Sequence, residues 1–264
     1  MIPSGDTMAR PGAGRLLMLL GLLLLMLNLT GLFHYRTIDP KQSGLKENDP
    51  TPLSEADFWQ RSKKLTDESP EAFAKRLTAL VESRIIQVSS SRTKPTLTEN
   101  WILWGVSHYL GFYEWIDTQK AIRLGGGLCS QHAIVFNNIL EQNGIPSRIL
   151  ALDGHVLNEV RYRGEWHVHD PSFNVLFSRS FEALHQDGER VYDTYTQAGL
   201  SPFDANLLRQ AFQHPVENPY FDTSRDYSAK RHLAEKLSVW LIWLTPILLI
   251  LSGWMLEKKT RLRA

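Results

Sequence analysis

Cysteine is almost missing from this 264-residue chain: Cys129 is the only one. An internal disulfide is therefore excluded, and the cysteine content says little about redox compartment. An excess of one charge is missing too. Lys and Arg number 29 against 28 Asp and Glu, a net charge of +1, so nothing argues for a nucleic-acid partner. No internal repeat or low-complexity tract occurs. Charge is absent altogether from two long stretches, 16–33 and 237–256. Each is about long enough to cross a ~30 Å hydrocarbon core as a helix. Neither has a polar face, which weighs against two buried core helices.

Arg10 and Arg15 make the first stretch look like a signal peptide. Its apolar run is longer than a signal core, and no small-x-small cleavage site precedes His34-Tyr35-Arg36, so it reads as an uncleaved anchor. The second stretch contains Pro246 and carries Trp240, Trp243 and Trp254 near its ends, a pattern that suits the membrane interface. The resulting order is a tail (1–15), a transmembrane helix (16–33), a linker (34–53), a folded domain (54–180), an extension (181–236), a second transmembrane helix (237–256) and a basic tail (257–264). Two spans put both termini on one side. Arg10, Arg15, Lys258, Lys259, Arg261 and Arg263 favour the cytoplasm for both, leaving the domain extracytoplasmic, in the periplasm of a bacterial cell. Arg36, Lys41, Lys230, Arg231 and Lys236 on the opposing flanks weaken that asymmetry.

Between the spans, helical patterns precede strand patterns. Ser54 begins a short helix, Ser69-Pro70 caps another, and Thr98 is placed to cap a third in which Trp101, Trp104, Tyr109 and Leu110 read as core. Ala133, Phe136, Ile139 and Leu140 recur at helical spacing, with Asn143-Gly144 as a stop. Strand character follows over 147–152, 155–162 and 165–170, with a hairpin turn at Gly164. Short helical patterns recur around 181–185 and 204–212. Helices followed by strands, without βαβ alternation, predict an α+β fold.

The chemistry gathers around Gly125-Gly126-Gly127-Leu128-Cys129. The glycines permit positive φ and leave room for a substrate backbone. Cys129 falls at a helix N-terminus, where unpaired N–H groups and the helix dipole favour a thiolate. A cysteine nucleophile needs a base, and the base an orienting partner. His155 starts one strand and Asp170 ends the next, before Pro171. The Gly164 hairpin runs these strands antiparallel, so the two side chains become neighbours. His167 and His169 share a strand face opposite to Trp166, Val168 and Asp170. That spacing suits metal ligands, but no further ligand motif stands nearby, and no metal is expected. The glycine run lacks the Lys-Ser/Thr of a phosphate loop, which disfavours a nucleotide.

Gly127-Leu128-Cys129, Ala133, Asn143-Gly144-Ile145-Pro146-Ser147-Arg148, Gly154-His155-Val156, Asn158-Glu159-Val160, Gly164, Trp166 and Asp170-Pro171 together resemble the transglutaminase-like superfamily over about residues 95–175. The resemblance implies a papain-like core with a Cys-His-Asp triad and no cofactor. Cys129 would be the nucleophile, His155 the general base and acid, and Asp170 the orienting carboxylate. It also implies acyl transfer at an amide or ester carbonyl of a protein or peptide substrate, through a thioester. Water as acceptor makes a peptidase or amidase; an amine makes a cross-linking transferase. The rival expectation is a non-enzymatic membrane scaffold that binds an envelope protein or a polysaccharide-assembly complex. An intact triad argues against it, because a scaffold gains no stability from one.

Overall fold

The structure, a computed structural model, describes residues 12–39, 52–110, 113–214 and 219–262. Most of the expected linker, and the basic residues Arg10, Lys41 and Arg263, lie outside them. Helix α1 (Ala13–Phe33) is nearly all apolar. Helices α2 (Glu55–Arg61) and α3 (Pro70–Arg84) start on Ser54 and Ser69, whose hydroxyls accept from the N–H groups of Asp57 and Ala72. Strand β1 (Ile86–Gln87) precedes α4 (Leu97–Leu110). The cap of α4 is Thr96 rather than Thr98. Thr96 Oγ1 accepts from Glu99 N while Glu99 accepts from Thr96 N, a capping box. The helix breaks at Asn100, which is extended (φ −169°) and whose Oδ1 accepts from Leu103 N to restart it. Trp104 and Tyr109 are exposed, contrary to their reading as core.

Helix α5 (Thr118–Leu124) is capped by Asp117 and ends on Gly125 at φ +68°. Strand β2 (Gly126–Gly127) pairs in parallel with β1. Helix α6 (Cys129–Gln142) follows. Strands β3 (Ser147–Leu152), β4 (His155–Tyr162) and β5 (Glu165–Asp170) occupy the segments read from sequence. Then come β6 (Val175–Leu176), α7 (Phe181–His185), α8 (Gly188–Gln197), α9 (Pro202–Gln213), β7 (Tyr220–Phe221), α10 (Ser224–Tyr227) and α11 (Ala229–Arg261). The fold is α+β, with an antiparallel sheet in the order β6-β5-β4-β3-β7. Both Arg163 (φ 53°) and Gly164 (φ 85°) are left-handed, the conformation of a tight hairpin turn whose twist matches its strands.

The chain divides into two compact units, one of Met1–Tyr35, Pro95–Val106 and Ala234–Ala264, the other of Arg36–Lys94 and Ser107–Leu233. In the first, α1 and α11 are long and apolar enough to cross a membrane. They meet at small residues: a Cβ on Gly14 would lie 2.6 Å from the Gly253 carbonyl, and one on Gly21 as close to that of Pro246. Asn28 Nδ2 donates to the Ile242 carbonyl, and Asn100 Nδ2 to Ser238 Oγ at 2.9 Å.

In the second unit the sheet is covered on both faces. Ile149 and Val156 pack with Ala133 and Ile134 of α6. Leu150, Leu157 and Val168 point the other way, into a cluster with Phe181, Leu184, Val191, Tyr195, Leu208 and Phe212. Residues 181–212 thus share a core with the sheet. Strand alternation separates the two layers.

Candidate functional site

Cys129 is the first residue of α6 and half-buried. Two contacts hold this helix end. Gln131, buried, accepts from Trp115 N at 2.7 Å and donates to Trp115 O at 2.8 Å. His132 sets its ring nitrogens 2.8 Å from Leu128 O and 2.7 Å from Ile85 O. The glycines before Cys129 serve this packing. A Cβ on Gly126 would lie 2.6 Å from Ile38, and one on Gly127 would collide with the Gln131 side chain. Their smallness thus accommodates the protein's own chain, where the sequence suggested room for a substrate backbone. Asn158 Nδ2 donates to Ala133 O at 3.1 Å, tying β4 to α6 one turn past the cysteine.

The ladder pairs Asn158 with His169, so Asp170 falls opposite Leu157 and diagonal to His155 on the same face. His155 Nε2 lies 2.7 Å from Asp170 Oδ2, with the ring almost buried and the carboxylate fully so. The Cys129 side chain lies near enough to this imidazole to favour its charged form. Phe173 covers the ring at a centroid distance of 5.8 Å. Asp170 also accepts from Tyr195 Oη at 2.6 Å and from Ser172 N at 2.9 Å. Burial by itself disfavours the imidazolium. The Asp170 charge and hydrogen bond, and then the Cys129 thiol, outweigh it and raise the ring to about 10. Burial works against the carboxylate too. The imidazolium, and then the Tyr195 hydroxyl and Ser172 N–H, hold Asp170 below its ordinary value. Cys129, His155 and Asp170 are thus brought together by three elements that read plainly from sequence, α6, β4 and β5.

His167 and His169 lie on the opposite sheet face. Thr78 Oγ1 donates to Ala74 O at 2.8 Å and so accepts from His169 Nδ1 at 2.9 Å. That leaves Nε2 to take the Tyr162 hydroxyl at 3.4 Å, the pattern of a neutral ring. Burial, then the neighbouring His167 and Lys75, push His169 down to about 3. His167 stacks flat on Tyr162 at 4.0 Å. Among the described residues no group of three or more His, Cys, Asp or Glu could hold a metal ion.

Sequence reasoning missed a second buried network beside the cysteine. Ser130 Oγ donates to Glu114, whose other oxygen accepts from Arg231 Nη1 at 2.7 Å. Burial, then the Glu114 charge, raise the Tyr227 phenol to about 12, with Arg231 and Ser130 acting against them. Glu114, Tyr227 and Arg231 are distant from Cys129 in sequence and carry no local motif. Only Ser130, next to the cysteine, could have drawn notice. Tyr195 was equally hidden, on a helix whose polar sequence gave no signal. No family model matches this chain, and neither does any curated protein or solved structure.

Proposed function

We propose that the protein is a membrane-anchored cysteine enzyme of the transglutaminase-like kind, with a papain-like arrangement of Cys129, His155 and Asp170. It catalyses acyl transfer or hydrolysis at an amide or ester carbonyl. One observation carries the reading: a buried imidazole sits 2.7 Å from a buried carboxylate, with the side chain of a helix-first cysteine near enough to favour its charged form. A scaffold has no use for that arrangement, and burying it costs solvation energy.

Cys129 sulfur attacks the carbonyl carbon, and the Cys129 backbone N–H, which has no acceptor within the helix, donates to the developing oxyanion. Such a donor is worth ~3 kcal/mol of barrier. The His155 imidazolium protonates the leaving amine, the C–N bond breaks, and a thioester remains. His155, now neutral, takes a proton from water or a second amine as it attacks the thioester, and returns it to the sulfur. Asp170 holds the ring in register throughout and favours its charged form. Helices α1 and α11 anchor the domain, which faces away from the cytoplasm, where its substrate is an envelope protein or peptide.

The test is acylation by p-nitrophenyl acetate of the full chain in detergent. The expected result is a stoichiometric burst of p-nitrophenol with an acetyl group on Cys129, detected by mass spectrometry. Cys129→Ala should abolish the burst with an unchanged circular dichroism spectrum, since removing one sulfur leaves little void. A burst of equal size in Cys129→Ala rules the assignment out.

A further inference from the structure

A cleft of about 380 Å³ opens beside His155, between the Asp153-Gly154 turn and helix α9. It is at the small end of ligand pockets, which run ~300–1,000 Å³. Leu207, Leu208 and Ala211 of α9 line it. Ala211 lies three residues after Leu208 and four after Leu207, so it neighbours both on the helix surface. Leu208 and Ala211 are nearly buried, whereas Leu207 is 48 % exposed, a bare apolar side chain beside the candidate site. The rim is polar: Asp153 and His214, both exposed, face each other at 3.8 Å. A Cβ on Gly154 would meet nothing within 4 Å, so the turn leaves the opening clear.

Cys129 does not line this cleft, whereas His155 does. That asymmetry assigns the occupant. A substrate on Cys129 has an acyl part and an amine part. The amine nitrogen must come within hydrogen-bond reach of the group that exchanges its proton, which is His155. The amine component, leaving or incoming, therefore lies on the His155 side. We infer that this cleft is the subsite for the amine component, and that its α9 wall selects amines carrying a branched apolar side chain. The inference rests on the acyl-transfer reading above and adds the substrate class that it leaves open.

The experiment partitions acetyl-Cys129, formed from p-nitrophenyl acetate on the full chain in detergent, between leucinamide and glycinamide. In the transfer step the amine nitrogen attacks the thioester carbonyl, the C–N bond forms and the C–S bond breaks. Sulfur leaves as thiolate, and the amine proton passes to His155 and then to the sulfur. The expected outcome is N-acetyl-leucinamide over N-acetyl-glycinamide by about 10-fold or more at equal concentrations, the scale of apolar side-chain discrimination. Ala211→Trp fills the cleft and should bring the ratio close to one. Leu207→Asn, on the exposed rim where folding is little affected, should lower it several-fold. Equal partition in the natural protein overturns the subsite while the burst keeps the enzyme reading. An undiminished preference in both variants overturns the α9 wall. Absence of any burst sinks the enzyme reading and the subsite together.

Discussion

His155 and Asp170 make the unfolding equilibrium depend on pH in a definite direction. The His155 ring is raised from 6.5 to about 10 in the folded chain. Its stabilising contribution is therefore full below pH ~6.5 and is lost as pH rises through about 10. Asp170 is held below its ordinary 3.8. Its contribution is full above that value and is lost only as pH falls through the lower, folded-state value. The pair thus stabilises most between about pH 4 and 6.5. The thermal midpoint should decline from pH 6.5 to 10, and His155→Gln should flatten that decline; an equally steep decline in the variant would detach it from this ring. Tyr195→Phe keeps the packing against Phe177 and Phe212 but removes one donor from a buried carboxylate. A hydrogen bond to a charged group is worth ~1.5–3 kcal/mol. Denaturant unfolding should show a loss of that size, and a change below ~0.5 kcal/mol would show that Asp170 does not depend on Tyr195.

Among the elements, the sheet and the helices that follow it are held by a buried ion pair. Glu159 of β4 is fully buried and accepts from Arg148 of β3 at 2.8 Å and from Phe181 N, the first residue of α7, at 2.6 Å. Arg148 also lies over the rings of Trp166 and Tyr220, at 4.3 and 3.7 Å. Glu159→Ala leaves a guanidinium and an amide without their acceptor. Breaking a buried pair this way costs ~3–5 kcal/mol, which urea unfolding should register; a loss under 1 kcal/mol would mean that Arg148 relaxes onto the rings alone. This clamp joins the part of the fold that sequence makes legible to the part it does not. Strands β3 to β5 alternate cleanly and are punctuated by Gly154 and Gly164, so their bounds and the meeting of His155 with Asp170 follow from period and direction alone. Helix α8 is polar and glycine-led, with Val191 and Tyr195 as its buried side chains besides Gly188, too few to set a period. The roles of Tyr195, Glu114 and Tyr227 arise from contacts across the fold, which no local pattern encodes. The Thr96 cap and the break at Asn100 were masked in sequence by Thr98, an equally good capping residue two positions on.

For the molecule as a whole, the decisive quantity is which side of a membrane the folded unit occupies. Helices α1 and α11 are each long and apolar enough to cross, and they close on each other through Gly14, Gly21 and Gly253, the small-residue contact that apolar helices use in lipid. Asn28 is satisfied by a partner-helix carbonyl, as an amide in hydrocarbon must be. Basic residues flank both ends of this pair, but two of those on the domain side have work within the fold. Arg36 donates to Lys94 O at 2.6 Å, and Arg231 holds the buried Glu114. Their presence there follows from folding rather than from topology. The cluster Lys258, Lys259 and Arg261 closes the last turn of α11, where cations favour the helix dipole and the cytoplasmic side alike. The expectation is therefore that both termini are cytoplasmic and that Cys129 works on the far side. Alkaline phosphatase fused after Pro50 should be active and the same enzyme fused after Ala264 inactive, with a green fluorescent protein reporter giving the opposite pattern. An active phosphatase at Ala264 reverses the orientation, and activity at both sites means that the two helices do not both cross.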